Sequence, residues 1–181
     1  MDKRAIINTV SQIIIYYVVW LVCISMAAKQ NIWLGAYISF FLVLLQVVIH
    51  QVTHKRLGVL LIFSSSLALI GLCVDSIMIF KGVFIFNAMR PEVSFAPPFL
   101  WGIWLSFSIM FYSILSAWFK RYALISILSA LGFPLSYWVG SLMGAAQAPQ
   151  GEVSYIILGS IWAVLLPLFL YLYNRVTDYV C

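Results

Sequence analysis

The sequence predicts an all-α integral membrane protein, a six-transmembrane-helix bundle with both termini cytoplasmic, built as a single membrane domain over residues 1–181. Three observations predict it. Hydrophobic residues make up 65% of the 181 positions and charged residues only 8%, where a soluble domain is about half apolar and about a quarter charged. The mean hydropathy is +1.08, more than a soluble fold of this size could hide from water. The apolar residues also gather into six runs, each near the ~20 residues a helix needs to cross a hydrocarbon core. This composition excludes a soluble enzyme, a nucleic-acid-binding domain and a disordered chain. The net charge of +5 is therefore no nucleic-acid footprint. It reflects Lys and Arg retained in cytoplasmic loops.

The spans are expected at about 5–27, 32–51, 57–80, 98–119, 122–145 and 153–174. Uninterrupted runs of this length argue helices, because barrel strands alternate over ~10 residues. The first run follows Lys3 and Arg4 and ends near Ser25-Met26-Ala27, which resembles a signal-peptidase site. It is long enough to span and more spans follow, so an uncleaved first helix is expected. Short connections at 28–31, 52–56, 120–121 and 146–152 make neighbouring spans antiparallel. The longer connection, 81–97, holds Lys81, Arg90, Pro91, Glu92 and Pro97, and its Val83-Phe84-Ile85-Phe86 stretch is expected to lie in the interface.

Orientation follows from charge. One side carries Lys3, Arg4, Lys55, Arg56, Lys120, Arg121 and Arg175, the other only Lys29, Lys81 and Arg90. The heavier side is cytoplasmic. Trp33, Trp101 and Trp138 fall near the outer ends and Trp118 near the inner, where interfacial anchors belong. All six prolines lie in the second half, and no internal repeat is apparent. Three spans per half would give the parity of an inverted-repeat transporter, but parity alone does not make one.

Asp75 is the sharpest single feature. An ionised carboxylate inside a span costs ~3 kcal/mol on insertion scales, so such a residue turns inward and pairs. Counting ~1.5 Å per residue puts Asp75 about 27 Å along the third span, close to the outer interface. Trp101 and Trp104 then lie about 5 and 9 Å below that interface, and Tyr137 about 22 Å along the fifth span. All four share one depth, so Trp101 or Trp104, together with Tyr137, are the expected neighbours of Asp75. Two readings stay open: a contact to a ligand, proton or cation, or a structural carboxyl bonded to a Trp, Tyr or Ser or reached by Lys81.

A second polar group sits at the cytoplasmic ends of the first two spans. Asn8 and Gln12 are four apart, as are Gln46 and His50, and Arg56 follows in the loop. Residues four apart share a helix face, so these side chains could bind a headgroup or tie two helices together. His54 is expected in the loop. Gly132, Ser136, Gly140, Gly144 and Ala148 form a small-residue stripe at four-residue spacing. It is expected to pack helices within the chain, with a homodimer seam as the alternative. Pro134, inside the same span, would kink it and could open a small cavity beside Asp75. Cys23, Cys73 and Cys181 show no zinc or disulfide spacing. No metal site, cofactor or catalytic residue is nominated, and Ser64, Ser65 and Ser66 read as packing.

Asn8, His50, Arg56, Gly71-x-x-x-Asp75, Ala96-Pro97-Pro98-x-x-Trp101-x-x-Trp104-Leu105-x-Phe107 and Gly132-x-Pro134-x-Ser136-Tyr137-x-x-Gly140-x-x-x-Gly144-Ala145 together resemble the bacterial family catalogued as Domain of Unknown Function 2878. The resemblance covers nearly the whole chain, and the proline–tryptophan and Gly-x-Pro-x-Ser-Tyr blocks are its most specific parts. A Gly-Pro pair is usual in the family where this chain has Gly132-Phe133-Pro134. The resemblance implies a small multi-pass protein of the bacterial inner membrane with no assigned activity. Family members are often found beside fatty-acid- and lipid-modifying enzymes, which points to lipid by association only.

Three functions follow. The first is a membrane-embedded binding protein for a lipid or other hydrophobic molecule, or an accessory subunit partnering a lipid-modifying enzyme, with Asp75, Trp101, Trp104 and Tyr137 as pocket groups. The second is a small proton-coupled secondary transporter using Asp75 and a helix that switches at Pro134, against which stand a single acid and no second broken helix. The third is an intramembrane lipid-modifying enzyme using His50 or Asp75, although no acid–base pair is evident. The first is preferred.

Overall fold

A chain dissolved in hydrocarbon must satisfy its own backbone, and a helix does so within one segment. The computed structural model describes residues 3–54, 57–87, 95–115 and 119–180, and they are helical almost throughout. The elements are α1 (Lys3–Ala28), α2 (Ile32–His54), α3 (Leu57–Phe80), β1 (Ile85–Phe86), α4 (Pro98–Leu115), α5 (Tyr122–Leu142), β2 (Ala146–Gln147) and α6 (Glu152–Val180). Five helices are long and apolar enough to cross a membrane, and the apolar part of α4, Pro98–Ile114, is shorter. The expected fourth span of 98–119 is thus described as helix only to Leu115, and Trp118 lies outside the described residues. His54, expected in a loop, is the last residue of α2. The outer faces of the helices carry large exposed apolar side chains such as Phe41, Ile62, Leu131 and Ile156, as a lipid-facing perimeter requires.

The fifth span stops at Leu142, short of 145. Gly144 has φ +80°, a left-handed conformation that costs glycine nothing. The Gly144 N–H donates to the Ser141 carbonyl and the Ala145 N–H to the Gly140 carbonyl, the Schellman pattern that closes a helix. Gly144 and Ala148 therefore lie beyond α5 and cannot continue a stripe along it.

The Val83–Phe86 stretch, too short to span, contributes a strand. Ile85 pairs with Gln147 and Phe86 with Ala146 in a short antiparallel ladder. Alternation along the strand turns Phe84 and Phe86 inward and leaves Ile85 exposed. Asn87 extends the ladder through its own N–H to Ala145 and its side-chain amide to the Gly144 carbonyl, at 3.0 and 2.7 Å. Ser154 Oγ donates to the Val83 carbonyl at 2.8 Å. The α3–α4 and α5–α6 connections are thereby fastened together.

Within the bundle, α4 packs against α1, α2 and α3, while α5 pairs with α6. The α5–α6 contact is closest at Gly159, where an added Cβ would sit 2.7 Å from the Ala130 carbonyl oxygen and 3.0 Å from Pro134 Cγ. Pro134 removes the helical donor to that same Ala130 carbonyl. Aromatic rings join this hairpin to the other helices: Trp162 of α6 stacks on Trp104 of α4 at 4.9 Å, and Phe63 of α3 meets Tyr173 of α6 at 4.9 Å.

Candidate functional site

Helix α5 does not close on the packed pair α1 and α4. The three helices leave a cavity of about 430 Å³, within the ~300–1,000 Å³ range of small-molecule pockets. Tyr16 and Trp20 line it from α1, Trp104 and Phe107 from α4, and Phe133 and Tyr137 from α5. Phe86 and Ala146 of the strand pair also border it. Tyr17 and Leu128 form part of its wall and are 58% and 49% exposed, so it opens on a flank of the bundle.

The small residues of α5 make this space. Gly132, Ser136 and Gly140 all line the cavity. A Cβ added at Gly132 would meet nothing within 4 Å, and one at Gly140 only Ile24 Cδ1 at 3.6 Å. Of the residues expected to pack, Gly132 and Ser136 border this space, Gly140 borders it while buried against Ile24 of α1, and Gly144 shapes the turn after α5. The close helix approach is made by Gly159 instead, which sequence spacing did not single out.

Asp75 lies one side chain behind the cavity wall. It is buried, with 1% of its surface exposed. Its Oδ2 accepts the Trp104 Nε1–H at 2.7 Å and its Oδ1 accepts the Tyr137 hydroxyl. Gly71, one turn earlier on α3, explains how Trp104 reaches it, because any Cβ at Gly71 would overlap the Trp104 ring. The Gly71-x-x-x-Asp75 spacing therefore supplies a seat and an acceptor for one indole. The ring is further held by Trp162 at 4.9 Å and Phe133 at 5.5 Å. Trp101 takes no part: it is 56% exposed and donates to the Ala96 carbonyl at 3.2 Å. Lys81 lies over the Phe80 ring at 5.7 Å, and the partners of Asp75 are Trp104 and Tyr137.

Asn8, Gln12, Gln46 and His50 are all buried, yet none lines the cavity. Gln12 Nε2 donates to the Gln46 carbonyl at 3.0 Å, and Gln46 Nε2 donates back to the Gln12 carbonyl at 3.4 Å. Gln46 Nε2 also reaches the Ser106 carbonyl at 3.4 Å, and Gln12 Nε2 the Asn8 Oδ1 at 3.4 Å. His50 Nδ1 lies 3.0 Å from Ser113 Oγ. These contacts tie α1 and α2 to each other and to α4. Arg56 lies outside the described residues.

Tyr16, Trp20, Phe107 and Phe133 were not chosen as site residues from the sequence. Their spacing held a usable sign, since Tyr16 and Trp20, like Phe133 and Tyr137, are four apart and share a face. Among the described residues no group of three His, Cys, Asp or Glu is placed to hold a metal ion.

The family described as "Protein of unknown function (DUF2878)" matches residues 9–168. No curated protein and no solved structure matches the chain. The matched stretch contains Gly71, Asp75, Trp104, Tyr137 and every residue that lines the cavity. The chain therefore belongs to the DUF2878 family.

Proposed function

We propose that this protein is a six-span protein of the bacterial inner membrane, with both termini cytoplasmic, that holds a lipid or other hydrophobic molecule between α1, α4 and α5. It acts as a binding protein or as the accessory subunit of a lipid-modifying enzyme. One observation carries the reading. A cavity of about 430 Å³ is walled mainly by aromatic and aliphatic side chains, takes its few polar groups from Tyr16, Tyr17, Ser129, Ser136 and Tyr137, and opens on an apolar flank. An apolar pocket with a few convergent polar groups is the expected form of a ligand site, and a lateral mouth lets a molecule enter from the bilayer.

Two experiments test this. Protein purified in mild detergent, extracted and analysed by mass spectrometry should yield one class of amphiphile near one per chain. Gly132→Leu, which directs a side chain into the cavity, should abolish its copurification. Equal lipid content in the two proteins refutes the reading. For orientation, reporter fusions at residue 90 should read periplasmic and those at 55 and 121 cytoplasmic, and the opposite pattern refutes the topology.

A further inference from the structure

Along α5 the cavity is bordered by Ile125, Ser129, Gly132, Ser136 and Gly140. These residues stand three or four apart and so share one helix face. At ~1.5 Å per residue the run covers ~22 Å of the helix. Along α4 the border runs from Leu100 to Phe111, which is ~16 Å. Phe107 of α4 meets Tyr16 of α1 at 5.9 Å and Phe133 of α5 at 5.4 Å, so the three walls lie alongside one another. One end is marked by Gly140 and Ile24, which face each other, and by Phe86. The other is marked by Ile125 and Leu166. Among the described residues the cavity is therefore a trough parallel to the helices, longer than it is wide.

Length and volume together give its width. A volume of about 430 Å³ drawn out over ~16–22 Å has a mean cross-section of ~20–27 Å². Carbon atoms in contact stay ~4 Å apart, so an extended hydrocarbon chain fills a section of ~20 Å². The trough has room for one such chain and not for two, and a fused-ring skeleton is too broad for it. Single bonds of ~1.5 Å in a staggered zigzag advance ~1.25 Å per carbon, so the same length takes about 13–18 carbons. Phe86, Leu100, Ile125 and Leu166, near the two ends, are buried, whereas Tyr17 and Leu128 on the flank are exposed. Entry is therefore sideways from the bilayer, which suits a chain without a bulky headgroup. Resting on the ligand-binding reading above, we propose that the cavity seats one unbranched hydrocarbon chain lengthwise, that of a single-chain molecule with a small polar end, and selects it by length.

The test uses the full chain, delipidated and held in peptidiscs, which contain no alkyl detergent. It is equilibrated with an equimolar mixture of decanol, tetradecanol, hexadecanol, octadecanol and docosanol delivered from cyclodextrin. The alkanol retained per chain after gel filtration is measured by gas chromatography. A non-specific apolar surface retains more at every step, because each added methylene favours transfer from water. A seat of finite length gives a maximum instead. Retention should approach one alkanol per chain, peak between tetradecanol and octadecanol, and fall at least fivefold by docosanol. Cholesterol should displace bound hexadecanol at least tenfold less well than hexadecanol itself. A steady rise up to docosanol, or equal displacement by cholesterol, overturns the lengthwise chain while leaving the cavity as a hydrophobic site. Equal displacement by a two-chain phosphatidylglycerol overturns the single-chain assignment. Failure of every alkanol to bind overturns the cavity reading and this inference with it.

Substitutions at the two ends test the cause. Ile125→Ala removes side-chain atoms at one end, which lengthens the trough. It should raise the ratio of octadecanol to tetradecanol retained at least threefold. Gly140→Val adds a side chain at the other end, where the nearest atom is the flexible tip of Ile24. It should lower the same ratio at least threefold. If one variant does not fold, the other decides alone. An unchanged ratio in a folded variant refutes a chain that reaches that end.

Discussion

Two glycine-to-alanine substitutions on neighbouring helices should change stability in opposite directions. At Gly132 of α5 the added methyl meets nothing within 4 Å. Alanine there replaces a helix-interior glycine without strain, which is worth ~0.5–1 kcal/mol. At Gly159 of α6 the methyl would stand 2.7 Å from the Ala130 carbonyl oxygen and 3.0 Å from Pro134 Cγ. Neither neighbour is the far end of a flexible side chain, so α5 and α6 must move apart. Overpacking of that kind costs ~1–3 kcal/mol. For a chain of this size ~1 kcal/mol shifts the midpoint by about 2–4 °C. Gly132→Ala should therefore raise Tm by about 1–4 °C and Gly159→Ala should lower it by about 2–12 °C. The assay is thermal unfolding in one mild detergent, followed by near-ultraviolet circular dichroism. A loss at Gly132 as large as that at Gly159 would mean that the α5 stripe packs against a helix. The cavity would then be wrong in its position.

Trp104→Phe removes the donor to Asp75 Oδ2 and leaves a buried acceptor unpaired, which costs ~1–3 kcal/mol. Trp101→Phe, at an exposed ring, should stay within about 0.5 kcal/mol of the parent, and a similar loss at both positions would defeat the assignment. Gly144→Ala forces a β-carbon into φ +80° and should cost ~1–2 kcal/mol in thermal unfolding, with Gly144→Asn costing less; equal losses would deny the turn. Gln46→Leu removes the Gln46 amide's bonds to the Gln12 and Ser106 carbonyls, leaves Gln12 Nε2 on the Gln46 backbone carbonyl and, at ~0.6 kcal/mol per interhelical bond in lipid, should lower stability by about 1 kcal/mol. A loss several times larger would show that the cluster does more than tie helices.

Hydropathy is read along the chain, and along the chain the sequence was sufficient. Long apolar runs have one answer in lipid, a helix that satisfies its own backbone, so among the described residues six helices appear at the six apolar runs, five of them long and apolar enough to cross a membrane. Depth was legible for the same reason: a fixed rise per residue placed Asp75, Trp104 and Tyr137 at one level. The family was legible too, through the proline–tryptophan and Gly-x-Pro-x-Ser-Tyr blocks. Rotation about each helix axis was not. A span that is apolar all round carries little record of which side meets protein, because lipid and a neighbouring leucine are nearly the same solvent. Tertiary packing therefore decided that Trp104 and not Trp101 faces Asp75. It set Gly132, Ser136 and Gly140 on a void while Gly159 makes the close approach. It also spent Gln12 and Gln46 on each other's backbone. The cavity is the product of those rotations: its walls come mainly from α1, α4 and α5, and the alignment of their faces is settled only when bulky rings such as Trp104, Phe133 and Trp162 find room against one another.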